Sequence, residues 1–145
     1  CSTDRDCIAR SQLEDWMEEG VVDYVGHSDD IRIQLANTDC VVLPSVYKEG
    51  TPRSLLEAGA MGVPIITTNM PGCEDTVEQG FNGFLCEPLS VFDLAKKIEQ
   101  FLLLSPSERK IMGKNNRVFM KDNFDEALVI KAYFNALYLQ TKEYL

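Results

Sequence analysis

Residues 40–68 run Cys40-Val-Val-Leu-Pro44, then Ser45-Val-Tyr-Lys-Glu-Gly-Thr-Pro-Arg-Ser-Leu-Leu-Glu-Ala58, then Gly59-Ala-Met-Gly-Val-Pro-Ile-Ile-Thr-Thr68. The apolar runs Cys40–Pro44 and Val63–Thr68 show no polar alternation, the pattern of strands buried on both faces of a parallel sheet. A helix is expected between them, from about Pro52 to Met61. Strand, helix and strand in this order make the crossover unit of an open α/β sheet.

The same alternation extends in both directions. Upstream, a helix from Ser11 to Glu19 stops at Gly20, a favoured terminator, and Val21–Val25 reads as a short strand ending at Gly26. Ser28, Asp29 and Asp30 offer caps for a second helix with apolar Ile31, Ile33 and Leu35. Downstream, Pro71-Gly72 turns the chain into a short helix ending near Gly80, and Gly83–Cys86 reads as the last strand. Helices are expected over 90–104, 106–121 and 125–143. Four strands are fewer than the five or six of a doubly wound sheet. A strand–helix–strand unit of roughly 30 residues ahead of Cys1 would restore the count. The expected fold is therefore α/β, a Rossmann-like doubly wound parallel sheet, truncated at its N-terminal edge and followed by C-terminal helices. Residues 1–145 would form one incomplete domain.

Bulk properties remove several classes. Hydrophobic residues make up 45% and charged ones 26%, a balance that disordered chains lack. A net charge of −9 disfavours nucleic acid, whose phosphates attract basic surfaces. The five cysteines are scattered without a Cys-x-x-Cys pair, and the single His27 completes no zinc set, so no metal is expected. They read as thiols of a reduced, cytoplasmic chain, with Cys40 in the core. No stretch is apolar enough to span a bilayer, which leaves peripheral contact with a membrane's inner face.

Chemistry is expected at the loop between Pro44 and Pro52, at the carboxyl edge of the sheet where ligands of open α/β folds bind. Thr51 suits an N-cap and Pro52 the first helical position, leaving the amides of Arg53 and Ser54 free at a positive helix terminus. Gly50 permits close approach of a ligand to the backbone. The Arg53 side chain has two readings, a phosphate contact or a solvent-facing charge. Glu57 stands among Leu55, Leu56, Ala58, Gly59, Ala60 and Met61, so its helix is expected to be buried nearly all round. An acceptor-only carboxylate there suits the vicinal hydroxyls of a ribose, or pairs with Arg53 one turn earlier. Glu49 is an exposed loop acid unless it shares a cleft with Glu57.

Glu49 and Glu57, seven residues apart, resemble the Glu-x7-Glu motif of the family-4 retaining glycosyltransferases of GT-B fold. Further segments follow in that family's order: Trp16–Asp30, Asp39–Ser45, Ala60–Thr68, Pro71–Glu74 and Asn82–Leu85. Together the match covers roughly residues 8–104. The Glu49-Gly-Thr-Pro52 version, in place of Glu-Gly-Phe-Gly, resembles members acting on surface polysaccharides and lipid-linked glycans.

The resemblance implies roles. Glu57 would hold the ribose of a nucleotide diphosphate sugar, and Glu49, the catalytic residue, would contact and orient the transferred sugar as an electrostatic group without forming a covalent bond. Gly50, Thr51, Pro52, Arg53 and Ser54 would line the sugar and distal phosphate, with Gly26 and His27 near base or phosphates. The nucleotide sugar would be the donor substrate, with no separate cofactor. The acceptor would be a glycan or lipid-linked glycan held with an N-terminal domain of the same enzyme. The family's diphosphate-binding Arg and Lys have no counterparts here, since the unit that carries them would precede Cys1. Two other readings stay open: a nucleotide-sugar-binding module without activity, and a nucleotide-sugar epimerase.

Overall fold

The computed structural model describes residues 8–48 and 50–142. The chain divides into two units, Cys1–Asp30 and Ile31–Leu145, taken in turn. In the first, α1 spans Arg10–Glu18. Its end is closed by Gly20 at φ 70°, which lets the Gly20 amide bond Met17 O and the Val21 amide bond Trp16 O. This paired arrangement is the Schellman termination. It also explains why the expected strand at Val21–Val25 does not form. The Val21 and Val22 amides both turn back to Trp16 O, and Val21, Tyr24 and Val25 are 63–73% exposed. β-branched residues favour a strand only where a neighbouring chain accepts their ladder.

The second unit begins with α2 (Ile31–Leu35), followed by β1 (Val41–Leu43), α3 (Arg53–Ala60), β2 (Ile65–Thr68) and β3 (Gly83–Cys86). Helices α4 (Val91–Leu102), α5 (Pro106–Phe124) and α6 (Glu126–Lys142) complete it. The short helix expected before Gly80 is a single 3-10 turn, Glu74–Thr76. The strands form one parallel sheet in the order β1-β2-β3. Val41 to Leu43 pair with Ile65 to Thr67, and Ile65 to Thr68 with Gly83 to Cys86.

β2 is buried along its whole length, as its unbroken apolar run predicts. β1 is not. It lies at an edge of the sheet among the described residues, with Val42 41% exposed, so the expectation of burial on both faces fails there. Alternation along β2 sends Ile65 and Ile66 to opposite faces. Ile65 packs with Leu55, Ala58, Val63 and Met120, while Ile66 packs with Phe101 of α4 and Met112 of α5. Both faces of the central strand are thus covered by helices, the layering of a doubly wound domain.

Helices α3 and α5 approach closely. A Cβ on Gly59 would overlap Met120, and one on Gly113 would overlap the Gly62 carbonyl. Beside this contact lies a polar clasp. Asn116, fully buried, donates to Val63 O at 2.6 Å and accepts from Asn82 Nδ2 at 3.0 Å. Asn82 also donates to Thr76 O and accepts from the Glu78 amide. Every buried side-chain N or O among the described residues has a partner.

Candidate functional site

The loop after β1 leads into α3 at the carboxyl edge of the sheet. Its helix starts one residue later than expected. Pro52 has ψ 127°, outside the helical region, and its carbonyl accepts from the Leu55 and Leu56 amides. Pro52 is therefore the cap residue and not the first helical one. Thr51 lies outside the helix, and no side chain caps its start. The correction preserves the electrostatics, because the amides of Arg53 and Ser54 still have no intrahelical carbonyl to bond and still mark the positive end of α3.

Arg53 and Ser54 are exposed, and Thr51 and Pro52 are partly covered. Gly50 is exposed, and a Cβ built there would meet nothing within 4 Å among the described residues. Protein packing therefore does not demand glycine at this position. Glu49 lies outside the described residues.

α3 is buried along one face, through Leu55, Ala58 and Gly59, rather than all round. Glu57 is half-buried, with its side chain 42% exposed, so a large desolvation cost does not bear on it. Its Oε1 lies 3.7 Å from an Arg53 guanidinium nitrogen, the pairing one turn apart that the sequence allowed. An exposed pair of this kind contributes little to stability. Glu57 lines an open cavity of about 460 Å³ with Leu56, Ala60, Arg117, Met120 and Lys121. Arg117 and Lys121 are cations that sequence reasoning missed. They sit one turn apart on α5, and nothing local distinguished them from a solvated helix face.

A second cavity, of about 270 Å³, lies at the carboxyl ends of the strands, with Pro44, Val46, Thr68, Cys86 and Glu87 in its wall. The structure thus brings Gly50, Thr51, Pro52, Arg53, Ser54 and Glu57 together around the start of α3. It gives Glu57 and the strand ends separate cavities. Gly26 and His27 belong to the first unit. There Gly26 takes φ 73° and His27 Nε2 stands 3.4 Å from Asp29 Oδ1, both side chains exposed.

Parallel strands joined by a crossover helix, with a helix terminus at their carboxyl edge, define a Rossmann-like domain. Residues 10–119 match the family of glycosyl transferases group 1, and the chain belongs to that family. It is 33% identical over 119 residues to N,N'-diacetylbacillosaminyl-diphospho-undecaprenol alpha-1,3-N-acetylgalactosaminyltransferase of Campylobacter jejuni, a match covering 82% of this chain and 31% of that protein. It is 36% identical over 93 residues to the capsular polysaccharide biosynthesis glycosyltransferase CapM of Staphylococcus aureus, covering 64% of this chain and 24% of that one. Among solved structures, the UDP complex of Anabaena HepE superposes with a TM-score of 0.77 at 25% identity, covering 88% of this chain and 35% of HepE. The chain spans about a third or less of the length of these proteins. The fold is that of the GT-B glycosyltransferases.

Proposed function

We propose that this chain is the donor-binding part of a retaining hexosyltransferase, which moves a sugar from a nucleotide diphosphate sugar to a polysaccharide or lipid-linked oligosaccharide. All 145 residues belong, in this reading, to one donor domain that works against a second domain holding the acceptor. The observation that carries the reading is the start of α3. Gly50 leaves open space, the Arg53 and Ser54 amides stand free of intrahelical bonds, and Glu57 follows about one turn later on the same helix. The Campylobacter and Staphylococcus relatives, by their names, act on a lipid-linked glycan and in capsule synthesis. HepE was solved with UDP.

Each group has a distinct task. The helix terminus meets the distal phosphate and stabilises the charge that develops on the departing diphosphate. Glu57 accepts from the ribose hydroxyls. Glu49 orients the sugar, and its charge favours the electron-poor reacting carbon without a covalent bond to it. Transfer needs no cofactor beyond the nucleotide sugar, and it takes place at the cytoplasmic face of the membrane with the chain in peripheral contact.

The test supplies the complete protein containing this chain with UDP-, GDP- and ADP-hexoses and lipid-linked acceptors. A glycosylated product whose anomeric configuration matches the donor, formed equally well with EDTA present, is expected. Product with the opposite configuration, or a free sugar epimerised at C2 without transfer, would overturn the assignment.

A further inference from the structure

β1 ends at Leu43, and Pro44 brings no N–H to continue the backbone ladder where the chain enters the site loop. Two hydroxyls of β2 hold that point. Thr67 Oγ1 donates to Leu43 O at 2.7 Å, and Thr68 Oγ1 donates to Ser45 O at 2.5 Å. Both threonines are fully buried. Because successive strand residues face opposite sides of a sheet, the two hydroxyls grip the end of β1 from its two faces. Thr68 is also paired through its backbone with Cys86 of β3, and its side chain lines the cavity at the strand ends.

Packing within the sheet does not require these hydroxyls. Valine has the same branched shape, suits a buried strand at least as well, and adds no polar group that must be satisfied. What the hydroxyls add is a fixed position for the chain just ahead of the loop. Ser45 stands four residues before Glu49 and five before Gly50.

We propose that Thr68, supported by Thr67, is a positioning residue for the sugar side of the donor site. Its bond to Ser45 O sets where the chain leading to Gly50 meets the transferred sugar, while the nucleotide is held independently by α3. The proposal rests on the donor-site reading above. It predicts a division of labour: loss of the Thr68 hydroxyl slows transfer and leaves the grip on the nucleotide intact.

The experiment compares wild type, Thr68→Val and Thr68→Ser in the complete protein. Binding of UDP, GDP and ADP is measured by titration, and kcat is measured with the hexose donor that wild type uses. Thr68→Val is expected to lower kcat by about three- to tenfold, the worth of one hydrogen bond, at unchanged nucleoside diphosphate affinity. Thr68→Ser should restore it. An unchanged kcat in Thr68→Val, an equal loss of nucleotide affinity, or no rescue by serine would each overturn the positioning role. If wild type binds none of the three nucleotides, the donor-site reading itself fails, and the clasp with it.

Discussion

Glu57 illustrates how one carboxylate serves two tests. Its ion pair with Arg53 is long and exposed, so neutralising it costs the fold little. A charge-assisted bond to a ribose hydroxyl is worth more, about 1.5–3 kcal/mol. Glu57→Gln should therefore weaken nucleoside diphosphate binding about ten- to a hundredfold while leaving the unfolding midpoint nearly unchanged. Calorimetric titration alongside thermal melts reads both, and equal affinity for the two proteins would make Glu57 a structural residue only. Cys40 is governed by burial. Burial, and secondly the neighbouring Asp39 charge, push its thiol up from 9.0 to about 12. A thiol held protonated in the fold stabilises it fully below the unfolded value. That contribution is lost as pH rises from about 9 towards 12, because only the unfolded chain readily releases the proton. Stability to urea should accordingly fall above pH 9, and iodoacetamide at pH 8 should label Cys40 in denaturant but spare it in the native protein. Rapid native alkylation at Cys40 would contradict this.

At the scale of elements, α3 holds its place through α5. Gly113 meets the Gly62 carbonyl so closely that a methyl group would displace backbone, which yields less than a side chain does. Gly113→Ala should cost about 1–3 kcal/mol despite alanine's better helix propensity, and a lowered urea midpoint at unchanged slope would show it. An unchanged midpoint would mean that the two helices slide apart at no cost. None of this contact was legible beforehand, because a glycine inside a helix pattern shows only that something special is present. The Asn82–Asn116 bond was equally silent, since it joins residues 34 positions apart. β2 and β3 were legible, their apolar runs being short, continuous and bounded by turns. Val21–Val25, rich in β-branched residues but interrupted by Asp23, also read as a strand and failed, because its leading amides close α1 and composition does not reveal a competing acceptor. At the site, the place of the helix was legible and its first residue was not. Gly50, Arg53, Ser54 and Glu57 gather around the start of α3, yet the first helical residue moved from Pro52 to Arg53. Capping depends on one ψ angle, which the identity of a proline does not fix.

For the molecule as a whole, the most consequential surface is α6. Every described side chain from Glu126 to Tyr138 is exposed. Leu128, Val129, Ile130, Tyr133, Phe134, Leu137 and Tyr138 are 45–69% exposed, and they are distributed around the helix instead of forming one stripe. A helix apolar on all sides is stable in water only when something covers it. Seven large apolar side chains on one element also exceed the scattered exposure that ordinary surfaces tolerate. In isolation this 145-residue chain should therefore self-associate through α6 despite its net charge of −9, and added salt should strengthen the association by screening like charges. Sedimentation velocity over a range of concentrations is expected to show a rising average mass. Removing residues 126–145 should abolish that rise while leaving cooperative unfolding of the sheet, because the two apolar clusters that enclose β2 draw on no residue beyond Phe124. A concentration-independent monomer with α6 intact would show that the exposed helix folds back onto its own unit. In that event its apolar side chains should be protected from solvent in surface labelling.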